Sequence, residues 1–424
     1  MEKELSQPLS WTGSLAVTAM ENLWTLRRYK CFWLNIYLIK AKERYFLFLL
    51  IKLFKEKFGR REQRMNTYRV GVIGCGRIAS IMEDASEVHP VTIAGAFSSL
   101  PNTKIVAAAN RGEERLHAFG KRWGVCALYR DYQKMLKEEE LDIVCVATHP
   151  PLHAEMVIAT AEAGVKGIFC EKPMALSLAE CDAMIEACER AGTKLLINCT
   201  RRWSGYYEAV KRLIEEGALG ELLHIVAHCQ GCKPFPAWQA EHEGPLLHDA
   251  VHTFDIIRFL AGDVEWVLGT ATRKTDQFRV EDTSYSILKF KKGMSGVVVV
   301  DELTEYERWD VELQFTRGKV YIGPKFEIWT SRQANTAEEW WYELVQGEFP
   351  QPAWTEPPIQ VAAKDLVLAM EQDRECRCTG YDGRASIEII MALYESERRQ
   401  NTKVYLPIGT SESALEILRR EGKL

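Results

Sequence analysis

The chain has 424 residues, is 47% hydrophobic and 27% charged, and carries a formal net charge of -5. That length suits two domains or three, and the apolar content can fill sizeable cores. The mild acidity argues against a nucleic-acid partner, which needs a basic face.

Residues 1–64 are rich in Trp, Phe, Tyr, Leu, Lys and Arg. The apolar runs 31–39 and 45–51 are broken by Lys40, Lys42, Arg44 and Lys52. Neither nears the ~20 residues of a spanning helix, so no membrane span is expected. A signal peptide would need a charged start, an apolar centre and a small-residue cleavage site in that order, which is not found. Two readings remain: a basic amphipathic membrane-surface helix, or an extension ahead of a true start at Met65. The second is preferred, because strand-like sequence begins almost at once after Met65.

Residues 68–79 read Tyr-Arg-Val-Gly-Val-Ile-Gly-Cys-Gly-Arg-Ile-Ala. A buried strand over 69–73 runs into a glycine turn able to hold a pyrophosphate. Gly74 lets the chain turn sharply, Gly76 lets phosphate approach the backbone, and Ala79 is small enough for a following helix to pack on the sheet. Arg77 and Ile78 lie in this cradle, and a helix N-terminus there would offer N–H groups and a positive dipole end.

Strand and helix then alternate. Residues 105–109, 141–147, 166–170 and 194–197 read as strands, the second a nearly continuous apolar run suited to a doubly covered parallel sheet. Residues 113–123, 152–164 and 178–192 read as helices. This predicts an α/β fold: an N-terminal Rossmann doubly wound parallel sheet over 66–198, with ligands at the carboxyl ends of its strands. The second strand ends at Asn110-Arg111, where many NAD enzymes place a carboxylate on the ribose 2′-hydroxyl. Asn110 removes that charge, and Arg111 could pair with a 2′-phosphate or stack on adenine. The cofactor is therefore NAD or NADP. The strand at 166–170 runs into Glu171-Lys172-Pro173, which makes Lys172 a candidate catalytic lysine.

From about residue 220 the pattern changes to short strands at 222–228, 264–272, 283–290, 296–300, 311–315 and 319–322, joined by turns such as 291–293 and 316–318. That predicts a C-terminal α/β domain over 199–408 with a mostly antiparallel open sheet. Helical stretches at 207–216, 248–261, 362–372 and 385–399 are expected to cover it. Residues 349–358 read as a surface loop and 409–424 as a tail.

The twelve cysteines are scattered. Cys145 and Cys170 lie within apolar strands, where a thiol acts as a small hydrophobe, as in a reducing cytoplasm. Cys229-x-x-Cys232 and Cys376-x-Cys378 are too irregular for a four-ligand zinc site, so no metal is expected.

With these residues in place, the chain resembles the Gfo/Idh/MocA oxidoreductases over roughly residues 68–408. The resemblance rests on Gly74-Cys-Gly76-Arg-Ile-Ala79, Ala147-Thr148 with His153, Glu171-Lys172-Pro173, Arg201-Arg202-Trp203, Gly217-Ala-Leu-Gly220, His252-Thr-Phe-Asp255 and Val404-Tyr-Leu-Pro407. It implies cofactor contacts from Thr148, His153, Glu171 and Lys172, frequent homo-oligomers, and sugar or polyol substrates. It also implies that Lys172 sits by the nicotinamide and the reacting carbon. Hydride transfer needs no protein nucleophile. The protein must move the hydroxyl proton and stabilise charge on oxygen, which a half-buried lysine can do.

His252 matches the histidine of the family's Asp-x-x-x-His element, an acid/base group. The aspartate position is His248 here, and Asp249 follows one residue later. On an α-helix His248 and His252 would share a face and a proton relay. His248-Asp249-x-x-His252 also mimics a His-Glu-x-x-His zinc motif, but with a shorter base and no third ligand in place. Substrate contacts are expected from Arg201, Arg202, Trp203, Trp238, His242 and His248, since aromatic faces pack on sugar C–H surfaces.

The resulting expectation is a cytoplasmic, homo-oligomeric NAD(P)-dependent oxidoreductase acting on a sugar, polyol or related carbonyl compound. Two alternatives stay open: a glycosidase using tightly bound NAD for transient oxidation, and a non-catalytic dinucleotide sensor.

Overall fold

The computed structural model describes residues 67–231, 242–409 and 412–424. The expectations for residues 1–64, Cys232 and Trp238 lie outside the described residues.

The first sheet has six parallel strands: β1 (Tyr68–Ile73), β2 (Thr103–Ala109), β3 (Ala127–Tyr129), β4 (Ile143–Val146), β5 (Gly167–Cys170) and β6 (Lys194–Ile197). Their order is β3-β2-β1-β4-β5-β6. Chain order reverses at β1, which opens a crevice at the carboxyl ends of β1, β2 and β4. β4 and β5 are buried along their whole length, as a parallel sheet covered on both faces requires. Helices α1 (Ile93–Ser99), α2 (Glu113–Trp123), α3 (Tyr132–Glu138), α4 (His153–Glu162) and α5 (Leu178–Ala191) supply the covers.

The second sheet holds β7 (Leu222–Gln230), β8 (Val264–Gly269), β9 (Thr283–Phe290), β10 (Ser295–Asp301), β11 (Arg308–Phe315), β12 (Gly318–Ile322), β13 (Phe326–Gln333), β14 (Tyr342–Gly347) and β15 (Val404–Tyr405). Its order is β14-β13-β12-β11-β7-β10-β9-β8-β15. Every pairing is antiparallel except β7 with β10. The α/β class and the mostly antiparallel second sheet hold as expected. β13 and β14 were not anticipated: β14 is exposed along almost its whole length and has no apolar face to mark it.

The remaining helices are α6 (Gly205–Glu215), α7 (Val251–Ala261), α8 (Pro358–Gln372), α9 (Gly380–Arg398) and α10 (Ala414–Arg420). One expectation needs correction. The stretch 362–372 does not cover the second sheet; its helix, α8, packs against α1, β5 and β6 of the first. The fit is made by Gly167 at the start of β5, where a Cβ would lie 2.5 Å from Met370 Sδ. α9 touches α5 and β6 on one side and β8 and β15 on the other, and so ties the two sheets together. The stretch read as a tail contains α10, which buries Ala414, Leu415 and Leu418 and packs against α9.

Candidate active site

The glycine turn forms the floor of a cleft. Gly74 has φ +94, and a Cβ there would lie 2.6 Å from the Ala147 carbonyl oxygen. Only glycine fits that approach and that left-handed backbone. Above Gly76 the missing Cβ faces nothing within 4 Å. The turn is braced from β2: Gly74 N donates to Ala109 O at 2.8 Å and Cys75 N to Asn110 Oδ1 at 3.1 Å. The helix expected to follow is reduced to a 3-10 turn at Ile81–Ala85, with α1 starting only at Ile93. Glu83 breaks the run by accepting from the backbone N–H groups of Val91 and Thr92.

The cleft holds about 570 Å³ and is lined by Gly74, Gly76, Asn110, Arg111, Arg115, Arg130, Thr148 and His149, among others. Its size and its open glycine floor fit a dinucleotide. Arg77 is exposed and Ile78 half-buried beside the turn. Asn110 is more occupied than expected: its Oδ1 accepts from Cys75 and its Nδ2 donates to Gly112 O at 2.7 Å. It braces two turns rather than offering a free group to a ribose.

His153 and Glu171 turn away from this cleft. His153 is fully buried, with Nδ1 2.9 Å from Pro173 O and Nε2 3.2 Å from Thr148 O. Burial lowers its pKa, so the ring is neutral and its single N–H serves one carbonyl at a time. It joins the strand ends of β4 and β5. Glu171 is also buried, which raises its pKa. It accepts from Asn198 Nδ2 and, at 3.2 Å, from the Lys172 backbone N–H. Its role is to hold the segment carrying Lys172.

Lys172 is half-buried, and its Nζ donates to the His248 backbone carbonyl at 2.6 Å. This joins the carboxyl end of β5 to the element that carries both candidate histidines. That element is not the regular helix expected. Leu246–Ala250 form a π-turn that runs into α7 at Val251, a distortion frequent at functional sites. The wider turn breaks the simple one-face relation between His248 and His252. His248 is half-buried, and its Nδ1 lies 3.3 Å from the buried Glu243 carboxylate. His252 is 9% exposed in the first turn of α7.

Below the π-turn, Glu281 is fully buried and accepts from Leu246 N at 3.1 Å and from Tyr394 Oη at 2.7 Å. Burial pushes its carboxyl pKa up to about 7. Glu243 and His149 were missed in the sequence. His149 follows β4, and the strand-end rule could have flagged it. Glu243 stands in no periodic pattern that would mark it.

Two substrate-contact expectations fail. Trp203 is fully buried, with its Nε1 3.4 Å from Asp365 Oδ2, and presents no face to a ligand. Arg202 is buried and its Nε meets both Asp255 carboxylate oxygens, at 2.9 and 2.8 Å. Arg201 is half-buried with its guanidinium 4.1 Å from the centre of the Trp309 ring. His242 is exposed. Cys199, Asp255 and Cys378 place ligand atoms within 4.8 Å of one another, but the Arg202 guanidinium already holds the carboxylate that a cation would need.

Comparison with known proteins bears on the family and the fold. Residues 68–199 match the family described as "Oxidoreductase family, NAD-binding Rossmann fold", and residues 207–321 match the GFO/IDH/MocA C-terminal domain. D-apiose dehydrogenase of Paraburkholderia graminis is 28% identical over 351 residues, covering 79% of this chain and 89% of that protein. Myo-inositol 2-dehydrogenase of Thermotoga maritima is 30% identical over 237 residues, covering 54% and 67%. The solved structure of the WlbA dehydrogenase from Bordetella pertussis, in complex with NADH and UDP-GlcNAcA, shares the fold at 23% identity and a TM-score of 0.66, over 81% of this chain and 99% of that one. The chain is an NAD(P)-dependent oxidoreductase of the Gfo/Idh/MocA family.

Proposed function

We propose that the enzyme oxidises a hydroxyl of a sugar or polyol, or reduces the matching carbonyl. The observation that carries this is the contact of Lys172 Nζ with the His248 carbonyl, which brings the cofactor sheet's strand end to the two histidines. The relatives named for apiose and inositol support the polyhydroxylated class. A bound nicotinamide takes or returns the hydride. Lys172 positions and polarises the substrate oxygen, and the histidines at 248 and 252 handle its proton. Arg201 and His248 stand as substrate contacts.

The cofactor is NAD or NADP, and the cleft has groups that could meet a 2′-phosphate. No carboxylate stands at the end of β2 itself, and the cleft beyond it is lined by Arg111, Arg115 and Arg130 together with Glu113 and Glu114. The division into a cofactor domain ending near residue 198 and a substrate domain after it is supported by the separate family matches. A homo-oligomer is supported by the outer face of the second sheet: Val297 and Ile287 are paired and exposed there, with Tyr285 two residues along β9. A reducing, cytoplasmic location is supported by Cys145 and Cys170, which sit in fully buried strands as small hydrophobes. No helix among the described residues is long and apolar enough to cross a membrane.

The test is a panel of polyols, aldoses and sugar acids with NAD and NADP, following absorbance of the reduced cofactor. Turnover with net reduction supports the reading. Cofactor retained through purification without net reduction would favour transient oxidation by a glycosidase. Cofactor binding with no chemistry would favour a sensor.

A further inference from the structure

The position before His252 that would carry an aspartate in related chains holds His248, so the histidine pair lacks its sequence-adjacent carboxylate. The fold supplies one from five residues upstream. Glu243 has a side chain only 1% exposed, and its Oε2 lies 3.3 Å from His248 Nδ1. Its other oxygen, Oε1, is buried and has no hydrogen-bond partner among the described residues. A carboxylate taken so far from water is costly unless it is paired, and His248 is the partner within reach.

The charges around the ring give it a direction. Nδ1 faces Glu243. Nε2 lies on the other side of the ring, 3.9 Å from Asp249 Oδ1. The His248 backbone oxygen takes the Lys172 ammonium. His149, on the cleft wall, and His153 both feel the Glu243 charge. Glu281 and Tyr394 bind each other beneath. Glu281 secures the backbone of the turn through Leu246 N, which leaves Glu243 for the ring.

We propose that Glu243 is a positioning residue for the hydride-transfer reaction: it accepts Nδ1–H of His248 and so turns Nε2 toward the substrate oxygen. In the oxidation direction the hydroxyl proton passes to Nε2, Nδ1–H stays on Glu243, and the imidazolium formed is paired with a carboxylate. The proton then leaves Nε2 for solvent. A third group that fixes the tautomer and orientation of a histidine base follows the same logic as other catalytic triads. The inference rests on the proposed oxidoreductase reading of the site.

The experiment compares wild type with Glu243→Gln, Glu243→Asp, His248→Asn and the Glu243→Gln/His248→Asn double variant, on the best substrate of the panel. Glu243→Gln lowers kcat roughly tenfold to hundredfold, part of the ~10²–10⁴ that an acid/base group supplies. KM and the cofactor Kd stay within about threefold, Glu243→Asp restores most of the loss, and the double variant is no worse than His248→Asn. Wild-type kcat in Glu243→Gln, or losses in the double variant that multiply, overturn the proposal. A second arm needs no turnover. Long-range ¹H–¹⁵N spectra of the ligand-free protein show His248 protonated at Nδ1 in wild type and no longer so in Glu243→Leu, and identical spectra overturn it. Absence of turnover in wild type would sink the oxidoreductase reading and leave the spectra to decide this one.

Discussion

The Lys172 ammonium donates to the backbone carbonyl of His248 at 2.6 Å across 76 residues of chain. One end of the bond is fixed by β5, by Glu171 on the Lys172 N–H and by the buried His153 on the Pro173 carbonyl. The other is fixed by Glu281 under the π-turn. Lys172 is therefore held before any substrate arrives. Its replacement by alanine should lower kcat by about 10²–10⁴-fold. Cofactor affinity should change little, because the glycine turn holds the pyrophosphate. Near-normal turnover in Lys172→Ala, measured beside the cofactor Kd by fluorescence titration, would remove the lysine from the mechanism.

Cofactor preference should depend on Arg111 and not on Asn110. Arg111→Ala should weaken NADP roughly ten- to hundredfold, the worth of a hydrogen bond to a charged group, and leave NAD nearly unchanged. Asn110→Asp should weaken both cofactors. Its new oxygen would face the Gly112 carbonyl, to which the amide now donates, and the turn at Cys75 would loosen with it. Titration of both variants with both cofactors separates these outcomes. A selective loss of NADP in Asn110→Asp would put that side chain back at the 2′ position.

The parallel sheet was legible because its strands carry their own signal. Ile143–Val146 is apolar throughout, and the spacing of Gly74 and Gly76 has one physical use. Lys172 was legible for the same reason, as the polar end of an apolar strand. What failed was burial of polar and aromatic residues near the site. Trp203 and Arg202 follow β6 as Arg201 does, but a 3-10 turn at Thr200–Trp203 sends two of them into the core and leaves Arg201 on Trp309. No period in the sequence marks that turn. Glu243 was invisible because its meaning depends on the π-turn, which re-aims His248 and which the helical pattern of 248–261 conceals.

The Arg202–Asp255 pair carries a second expectation. Both groups are buried. Burial raises the Asp255 pKa and Arg202 opposes that rise. Arg202→Met would leave a buried carboxylate without its cation and should cost about 3–5 kcal/mol, whereas Arg202→Met/Asp255→Leu should recover most of it. Urea unfolding of wild type and the two variants gives the comparison. Equal stability of the single and double variants would show that the charge is relieved elsewhere, with the Arg258 cation, which also opposes the rise, the candidate.

Glu281 should make stability depend on pH. Its carboxyl pKa is raised from 4.5 to about 7, with burial the largest cause. Below about 4.5 the group is protonated in both folded and unfolded chains and costs nothing. As pH rises, the unfolded chain releases the proton first and gains relative to the folded one, so native stability falls until pH passes about 7 and then levels off. Glu281→Gln removes the titration and keeps the acceptor for Leu246 N–H. Its amide can donate to the Tyr394 hydroxyl in place of the bond that hydroxyl now gives to Glu281. The Tm of the variant relative to wild type should therefore climb across the pH interval from 5 to 7 and change little above it. Parallel Tm curves across that interval would mean that Glu281 ionises in the folded protein as easily as in the unfolded chain, and that the turn beneath His248 is wetter than its burial shows.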